Sequence, residues 1–161
     1  MATAEKKYRP VIAIDFDGTI VDHRFPEIGK LKPYAKEVIN EWYDKGYIII
    51  VWTCRNFREP DYKNDARWQN APLPAVERFL EREGVKFHTI NVQQPGLGFY
   101  LTSPKIFANI YIDDRNLGGF PGWLFTKKAV EDYYSIDKNG DMKQWSNYHH
   151  MLNGEYNKNE E

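Results

Sequence analysis

Two aspartates stand two residues apart at positions 15 and 17, directly after the apolar run Val11 to Ile14. Side chains of an extended chain alternate between two faces, so Asp15 and Asp17 point to the same side. Carboxylates held this close repel each other unless a cation or a proton compensates them. The pair therefore indicates a magnesium-dependent phosphoryl-transfer site, with Asp15 as the nucleophile and Asp17 as the residue that carries protons.

Polar residues also follow two later apolar runs. The run from Tyr47 to Trp52 ends in Thr53, Cys54, Arg55 and Asn56. The run from Ile110 to Ile112 ends in Asp113, Asp114, Arg115 and Asn116, and Lys105 precedes it. Ligands of parallel α/β sheets bind beyond the carboxyl ends of the strands, so these groups are expected to converge with the aspartate pair.

The elements that would position these groups alternate along the chain. Hydrophobic patterns predict strands over residues 11–14, 47–52, 85–92 and 110–112. Helical spacing and glycine stops predict helices over 34–45, 74–83 and 127–134. This alternation predicts an α/β fold with a central, mainly parallel sheet.

Taken in order, these motifs resemble those of the haloacid dehalogenase superfamily. They are Asp15-Phe-Asp-Gly-Thr19, Thr53 after the second strand, Lys105 ahead of the fourth strand, and Asp113-Asp114 at its end. The likeness spans roughly residues 11–119 and is greatest to small members with Ile-Asp-Asp-Arg-Asn and a following Gly-Gly. It implies a Rossmann-like three-layer sandwich without a cap domain, because the gaps at 20–32 and 93–103 are too short to hold one.

The resemblance also implies a reaction. The protein would be a Mg²⁺-dependent phosphohydrolase that cleaves a phosphomonoester through an aspartyl-phosphate on Asp15, with Asp17 as general acid and base. The Asp15 carboxylate, the Asp17 backbone carbonyl and the Asp113 carboxylate would hold the metal. Asp114 would orient a metal-bound water or Asp113.

Other residues are assigned by the same likeness or by their place beside the site. Phosphate binding is predicted for Thr53, Cys54 and Lys105, and substrate contacts for Arg55, Asn56, Arg115 and Asn116. An open site without a cap suits a phosphorylated small molecule or a macromolecular end. Residues 57–73 and the C-terminal extension are candidates for a partial lid. The sequence leaves the substrate, the pathway and the oligomeric state open.

Two alternatives to a phosphatase stay open. The chain could be a non-catalytic module that binds magnesium or a phosphoryl ligand, or a receiver-like domain that a kinase phosphorylates. A cysteine phosphatase is excluded, because the arginine such a site needs six positions after Cys54 is replaced by Pro60. Cys54 is instead expected to be buried as a small apolar residue.

Composition predicts a single soluble, cytoplasmic domain. The chain has 161 residues, 42% of them hydrophobic, which suffices for one core. A net charge of -1 with interspersed signs argues against strong nucleic-acid binding, and no apolar stretch suits a membrane span. The predicted organisation is a disordered N-terminus (1–8), a catalytic domain (9–125), and a C-terminal extension (126–161) that packs on the same domain and ends in a frayed tail.

Overall fold

The computed structural model describes residues 9–55, 72–93 and 104–134. In these residues strands and helices alternate as β1 (Val11–Ile14), α1 (Ala35–Lys45), β2 (Ile48–Val51), α2 (Leu73–Glu83), β3 (Thr89–Ile90), β4 (Ile110–Ile112) and α3 (Trp123–Tyr133). All four strands are parallel, in the order β3-β2-β1-β4. The predicted Rossmann-like α/β sandwich around a parallel sheet is therefore confirmed. None of the three helices has the length and apolar character needed to cross a membrane.

The register of the sheet aligns the ends of its strands. Ile14, the last residue of β1, pairs with Val51 of β2 and with Ile112 of β4. The Asp15 N–H then donates to the Ile112 carbonyl at 2.8 Å, which continues the ladder by one residue. Asp15 and Asp113 consequently leave the sheet side by side at its carboxyl edge.

Apolar residues on both faces of the sheet are buried, which is why β1 and β2 read as continuous apolar runs. One face carries Ile12, Ile14, Ile49 and Val51 and packs against side chains from all three helices. The other face carries Val11, Ala13, Ile48 and Ile50 and packs against Ile106, which precedes β4.

Helix α3 is part of the main core. Trp123 is buried, its indole N–H donates to the Thr19 carbonyl at 3.0 Å, and its ring packs on Trp42. The helix begins at Trp123 and not at the predicted residue 127, so the predicted domain boundary at 125/126 lies inside it. The buried positions Trp123, Thr126 and Val130 keep helical spacing, but the threonine interrupts the apolar pattern in the sequence.

Strand β3 is shorter than the predicted strand 85–92. Its first expected residues complete the end of α2, where the Val85 N–H donates to the Leu80 carbonyl at 2.9 Å after Gly84. Its last expected residues are lost because Asn91 adopts a left-handed conformation, with φ of 54°. Only Thr89 and Ile90 pair with β2.

A short flap, defined as residues 22–30, fills the gap between β1 and α1. The bridge between Val21 and Leu31 and the hydrogen bond from Asp22 N–H to the Lys30 carbonyl (2.9 Å) close its base. The flap contains neither a helix nor a strand, in keeping with the expected absence of a cap at this point. Several predictions fall on residues outside the described ranges. They are the disorder of residues 1–8, most of the second gap (93–103), most of the proposed lid (57–73), and the chain from residue 135 onward.

The role of α3 in the core predicts a large effect of truncating Trp123. Trp123→Ala should lower the free energy of unfolding by about 3–5 kcal/mol, because it leaves a cavity against Trp42 and removes a buried hydrogen bond. Leu124→Ala, at the next position on an exposed part of the same helix, should change it by less than about 0.5 kcal/mol. Urea denaturation measures both, and equal effects of the two variants would contradict the packing described.

Candidate metal and phosphoryl site

Three carboxylates meet at the carboxyl edge of the sheet. One oxygen from each of Asp15, Asp113 and Asp114 lies within 4.8 Å of the others, a grouping that could hold a metal ion. The register of β1 and β4 brings the first two together, and the turn after β4 adds the third. Asp113 is fixed in this turn because its Oδ1 accepts the Arg115 N–H at 2.8 Å. Asp114, predicted to act behind the metal ligands, thus stands among the candidate ligands.

Thr19 joins the two sides of this cluster. Its hydroxyl donates to Asp15 Oδ2 at 3.3 Å and accepts the backbone N–H of Asp114 at 3.0 Å. The residue is completely buried. Its position four residues after Asp15 at the end of the first motif was the only signal in the sequence, and no separate role was predicted for it.

Gly18 allows the backbone to approach Asp114. It has φ of 95°, a conformation that side chains rarely adopt, and a Cβ at this position would collide with the Asp114 carboxylate. The Asp114 oxygen nearest Gly18 is Oδ2, whereas the other oxygen, Oδ1, is buried and has no hydrogen-bond partner among the described residues. A buried carboxylate oxygen without a donor is costly unless a cation or proton compensates it.

The environment raises the pKa of Asp15 to about 7. Burial is the largest cause, followed by repulsion from the Asp113 carboxylate, while a hydrogen bond from the Phe16 backbone works in the opposite direction. Asp114 and Asp17 add further repulsion. Negative charge is therefore concentrated around Asp15, and the described residues near it do not neutralise that charge.

The donor set fits a hard divalent cation. Mg²⁺ prefers carboxylate and carbonyl oxygens together with water, and Asp15, Asp113 and Asp114 supply three such carboxylates. The buried Asp114 oxygen and the raised pKa of Asp15 both indicate a group of anions that the described side chains do not neutralise.

The Asp17 carboxylate lies beside this cluster and binds Arg55. The guanidinium donates through Nε to Oδ2 and through Nη2 to Oδ1, each at 2.6 Å. Arg55 is fully buried and Asp17 nearly so. The sequence predicted a substrate contact for Arg55, whereas the structure places it on the second aspartate of the first motif. The two residues are 38 positions apart, and no local pattern in the sequence connects them.

Thr53 is buried just after β2 and is anchored by Asn91, the residue that follows β3. Asn91 accepts the Thr53 N–H and donates to the Thr53 carbonyl, both at 2.8 Å, an interaction that the sequence did not indicate. Thr53 Oγ1 accepts the Arg55 N–H at 3.2 Å, which leaves the hydroxyl hydrogen for another acceptor. Cys54 is exposed, so the expectation that it is buried was wrong. The chain bends at Cys54, so this side chain faces solvent between the buried residues Thr53 and Arg55.

The remaining predicted residues lie in several places. Lys105 is exposed, and its ammonium lies 4.9 Å from the centre of the Tyr111 ring. No ion pair joins it to the three clustered carboxylates in the described ranges, so its phosphate-binding role stays a prediction. Asn116 donates to the Tyr111 carbonyl at 3.0 Å and Arg115 is exposed. Asn56 lies outside the described residues.

Fold and site together define an α/β protein with a carboxylate cluster at the carboxyl edge of a parallel sheet. Its structure is similar to that of a conserved protein coded by a locus from Bacteroides thetaiotaomicron, with a TM-score of 0.60. The two share 31% sequence identity over 78% of this chain and 92% of the other. The chain belongs to the family of that conserved protein. No family model matches the chain, and neither does any curated protein.

The pKa of Asp15 predicts how stability depends on pH and on Mg²⁺. In the metal-free protein, folded Asp15 keeps a proton that the unfolded chain releases near its ordinary pKa of 3.8. This proton binding stabilises the folded protein, and the stabilisation is lost as pH rises through about 7. Added Mg²⁺ should therefore stabilise the protein more at about pH 8 than at about pH 6, because a proton on Asp15 competes with it. A concentration about 100 times the dissociation constant should add about 2.7 kcal/mol.

Urea denaturation at both pH values, with and without Mg²⁺, measures this effect. Asp15→Asn should abolish the gain from Mg²⁺ and stabilise the metal-free protein at the higher pH. Asp132→Asn, which removes an exposed carboxylate paired with Lys128, is the matched control and should keep the full gain. An equal response of the two variants to Mg²⁺ would show that the cation does not bind at the cluster.

Proposed function

We propose that the protein is a magnesium-dependent phosphatase that hydrolyses a phosphomonoester through phosphorylation of Asp15. The observation that carries the proposal is the meeting of Asp15, Asp113 and Asp114 at one point, with Asp17 beside them. The resemblance of the ordered motifs to the haloacid dehalogenase superfamily supports the same reaction. A cytoplasmic location is proposed with it.

Asp15 is the proposed nucleophile. Its Oδ attacks phosphorus while the bond from phosphorus to the leaving oxygen breaks, which gives an aspartyl-phosphate and an alcohol. The Thr19 hydroxyl, bound to Oδ2 at 3.3 Å, orients the carboxylate so that one oxygen faces the substrate. When bound between the clustered carboxylates, Mg²⁺ supplies positive charge against the charge that develops on the phosphoryl oxygens.

Asp17 moves the protons. It gives a proton to the leaving oxygen and then takes one from the water that attacks the aspartyl-phosphate, so that Asp15 and inorganic phosphate are released. Its position two residues after Asp15, on the same side of an extended chain, suits this role. Thr53 donates its hydroxyl hydrogen to a phosphoryl oxygen, and Lys105 is proposed to supply a positive charge there.

The substrate proposed for this site is a phosphorylated small molecule or a macromolecular end. The flap of residues 22–30 is the one element that the described chain places between β1 and α1, and it is too small to enclose a substrate. A flap of this size leaves room on its side of the site for leaving groups of different sizes.

A second candidate function, a non-catalytic module that binds Mg²⁺ or a phosphoryl ligand, is favoured by one observation. Both carboxylate oxygens of Asp17 accept hydrogen bonds from Arg55 in this structure, so the residue proposed to transfer protons is already bound to another side chain. A binding module would be stabilised by Mg²⁺ and phosphate without turnover, whereas an enzyme would show both.

Phosphate release from an aryl phosphate tests the proposal. The wild type should turn over only with Mg²⁺, and Asp15→Asn should reduce the rate to background because the attacking oxygen is lost. Asp17→Asn should lower kcat by about 10²–10⁴-fold, the usual contribution of proton transfer.

Asp132→Asn again serves as the control and should match the wild type, since this carboxylate is exposed on α3. Equal rates for wild type, Asp15→Asn and Asp17→Asn would overturn the mechanism. Stabilisation by Mg²⁺ and phosphate without any turnover would favour the binding module.

A further inference from the structure

Arg55 is a buried arginine that grips the second aspartate of the first motif. Only 1% of its side chain is exposed, against 13% for Asp17. The two hydrogen bonds between them run in parallel from Nε and Nη2 to the two carboxylate oxygens, the bidentate geometry that fixes a carboxylate in both position and orientation. Such a pair holds Asp17 in a single rotamer.

The same guanidinium also binds the flap. Nη1 donates to the Pro26 carbonyl at 2.8 Å, and Nη2 donates to the Glu27 carbonyl at 2.9 Å. The Phe25 ring stacks on the guanidinium with its centre 4.8 Å from the central carbon, and Phe16 lies on it at 5.8 Å. Three successive flap residues therefore contact one side chain from the end of β2.

Different contacts hold the base of the flap and its far end, residues 25–27. Backbone pairing holds Val21 to Leu31 and Asp22 to Lys30, and the ion pair between Lys32 and Asp22 at 3.4 Å is exposed. At residues 25–27 the Arg55 guanidinium supplies partly buried, charge-assisted hydrogen bonds. Arg55 thereby joins this end of the flap to the Asp17 carboxylate, which it also binds.

We infer that Arg55 is a positioning residue: it fixes the Asp17 carboxylate beside Asp15 and fastens residues 25–27 of the flap to it. The catalytic part of this inference rests on the proposed function, since Asp17 transfers protons only if the protein is a phosphatase. The fastened flap then borders one side of the phosphoryl site, and Arg55 keeps the Asp17 carboxylate in its orientation. Arg55 acts on the reaction through Asp17 and does not itself contact the substrate.

Hydrogen exchange tests the structural half of the inference without any need for activity. Arg55→Met should raise the exchange rates of backbone amides in residues 22–30 by about 10-fold or more, since their anchor is lost, while amides of α1 stay unchanged. Arg82→Met is the matched control, because Arg82 also lies over a phenylalanine ring but is exposed. Unchanged exchange in the flap of Arg55→Met would overturn the inference.

Kinetics test the catalytic half. A displaced proton carrier matters most for a poor leaving group, so Arg55→Met should lower kcat on the order of 100-fold for an alkyl phosphate and by much less for a nitrophenyl phosphate. In the Asp17→Asn background the same substitution should cause no further loss. Equal losses for both esters, or a full additional loss in that background, would instead make Arg55 a direct substrate contact and overturn the inference.

Two further variants keep the test valid if Arg55→Met does not fold. Arg55→Lys retains the charge but not the bidentate fork, and should give the same dependence on leaving group in weaker form. Phe25→Leu removes only the flap ring from the guanidinium, and should speed exchange in the flap with a smaller loss of kcat. If the wild type shows no turnover but Arg55→Met speeds exchange in the flap, the proposed function is refuted. The inference that Arg55 fastens the flap would still hold.

Discussion

Repulsion between the carboxylates of Asp15, Asp113 and Asp114 is the constraint on which the site depends. Like charges at separations of 4.8 Å or less repel by roughly 3 kcal/mol or more per pair even at an effective dielectric constant of about 20. The fold nevertheless forces them together, through the pairing of Ile14 with Ile112 and the close approach of Gly18 to Asp114. An arrangement this unfavourable without a counter-charge is typical of functional sites, where a bound ligand relieves the repulsion.

The charges around this cluster are divided between two partners. Arg55 neutralises Asp17 from within the protein, whereas in the described part of the chain the three clustered carboxylates have no such partner. Under the proposed function, this division gives the two aspartates of the first motif different roles. Asp15 would bind a cation and a phosphoryl group, whereas Asp17 is held beside it by an ion pair with Arg55, which also binds the flap.

Local patterns in the sequence predicted most of the frame. Apolar runs marked β1, β2 and β4, and the glycines at positions 46 and 84 ended α1 and α2 where helical spacing stopped. The convergence of Asp15 with Asp113 followed from topology alone. Contacts between residues distant in sequence were not predictable, because nothing local marks them: the pairing of Arg55 with Asp17 and of Asn91 with Thr53 each join residues 38 positions apart. The start of α3 was missed for a different reason, the polar Thr126 within its buried stripe.

The most direct test of the account is a crystal structure of the protein with Mg²⁺ and beryllofluoride, a mimic of a phosphoryl group. The account predicts a beryllium–oxygen bond to the Asp15 carboxylate, with the metal ion coordinated by Asp15 and Asp113 and no adduct on Asp17. An adduct on any other carboxylate, or a cation bound away from the three clustered aspartates, would contradict the assignment of Asp15 as nucleophile.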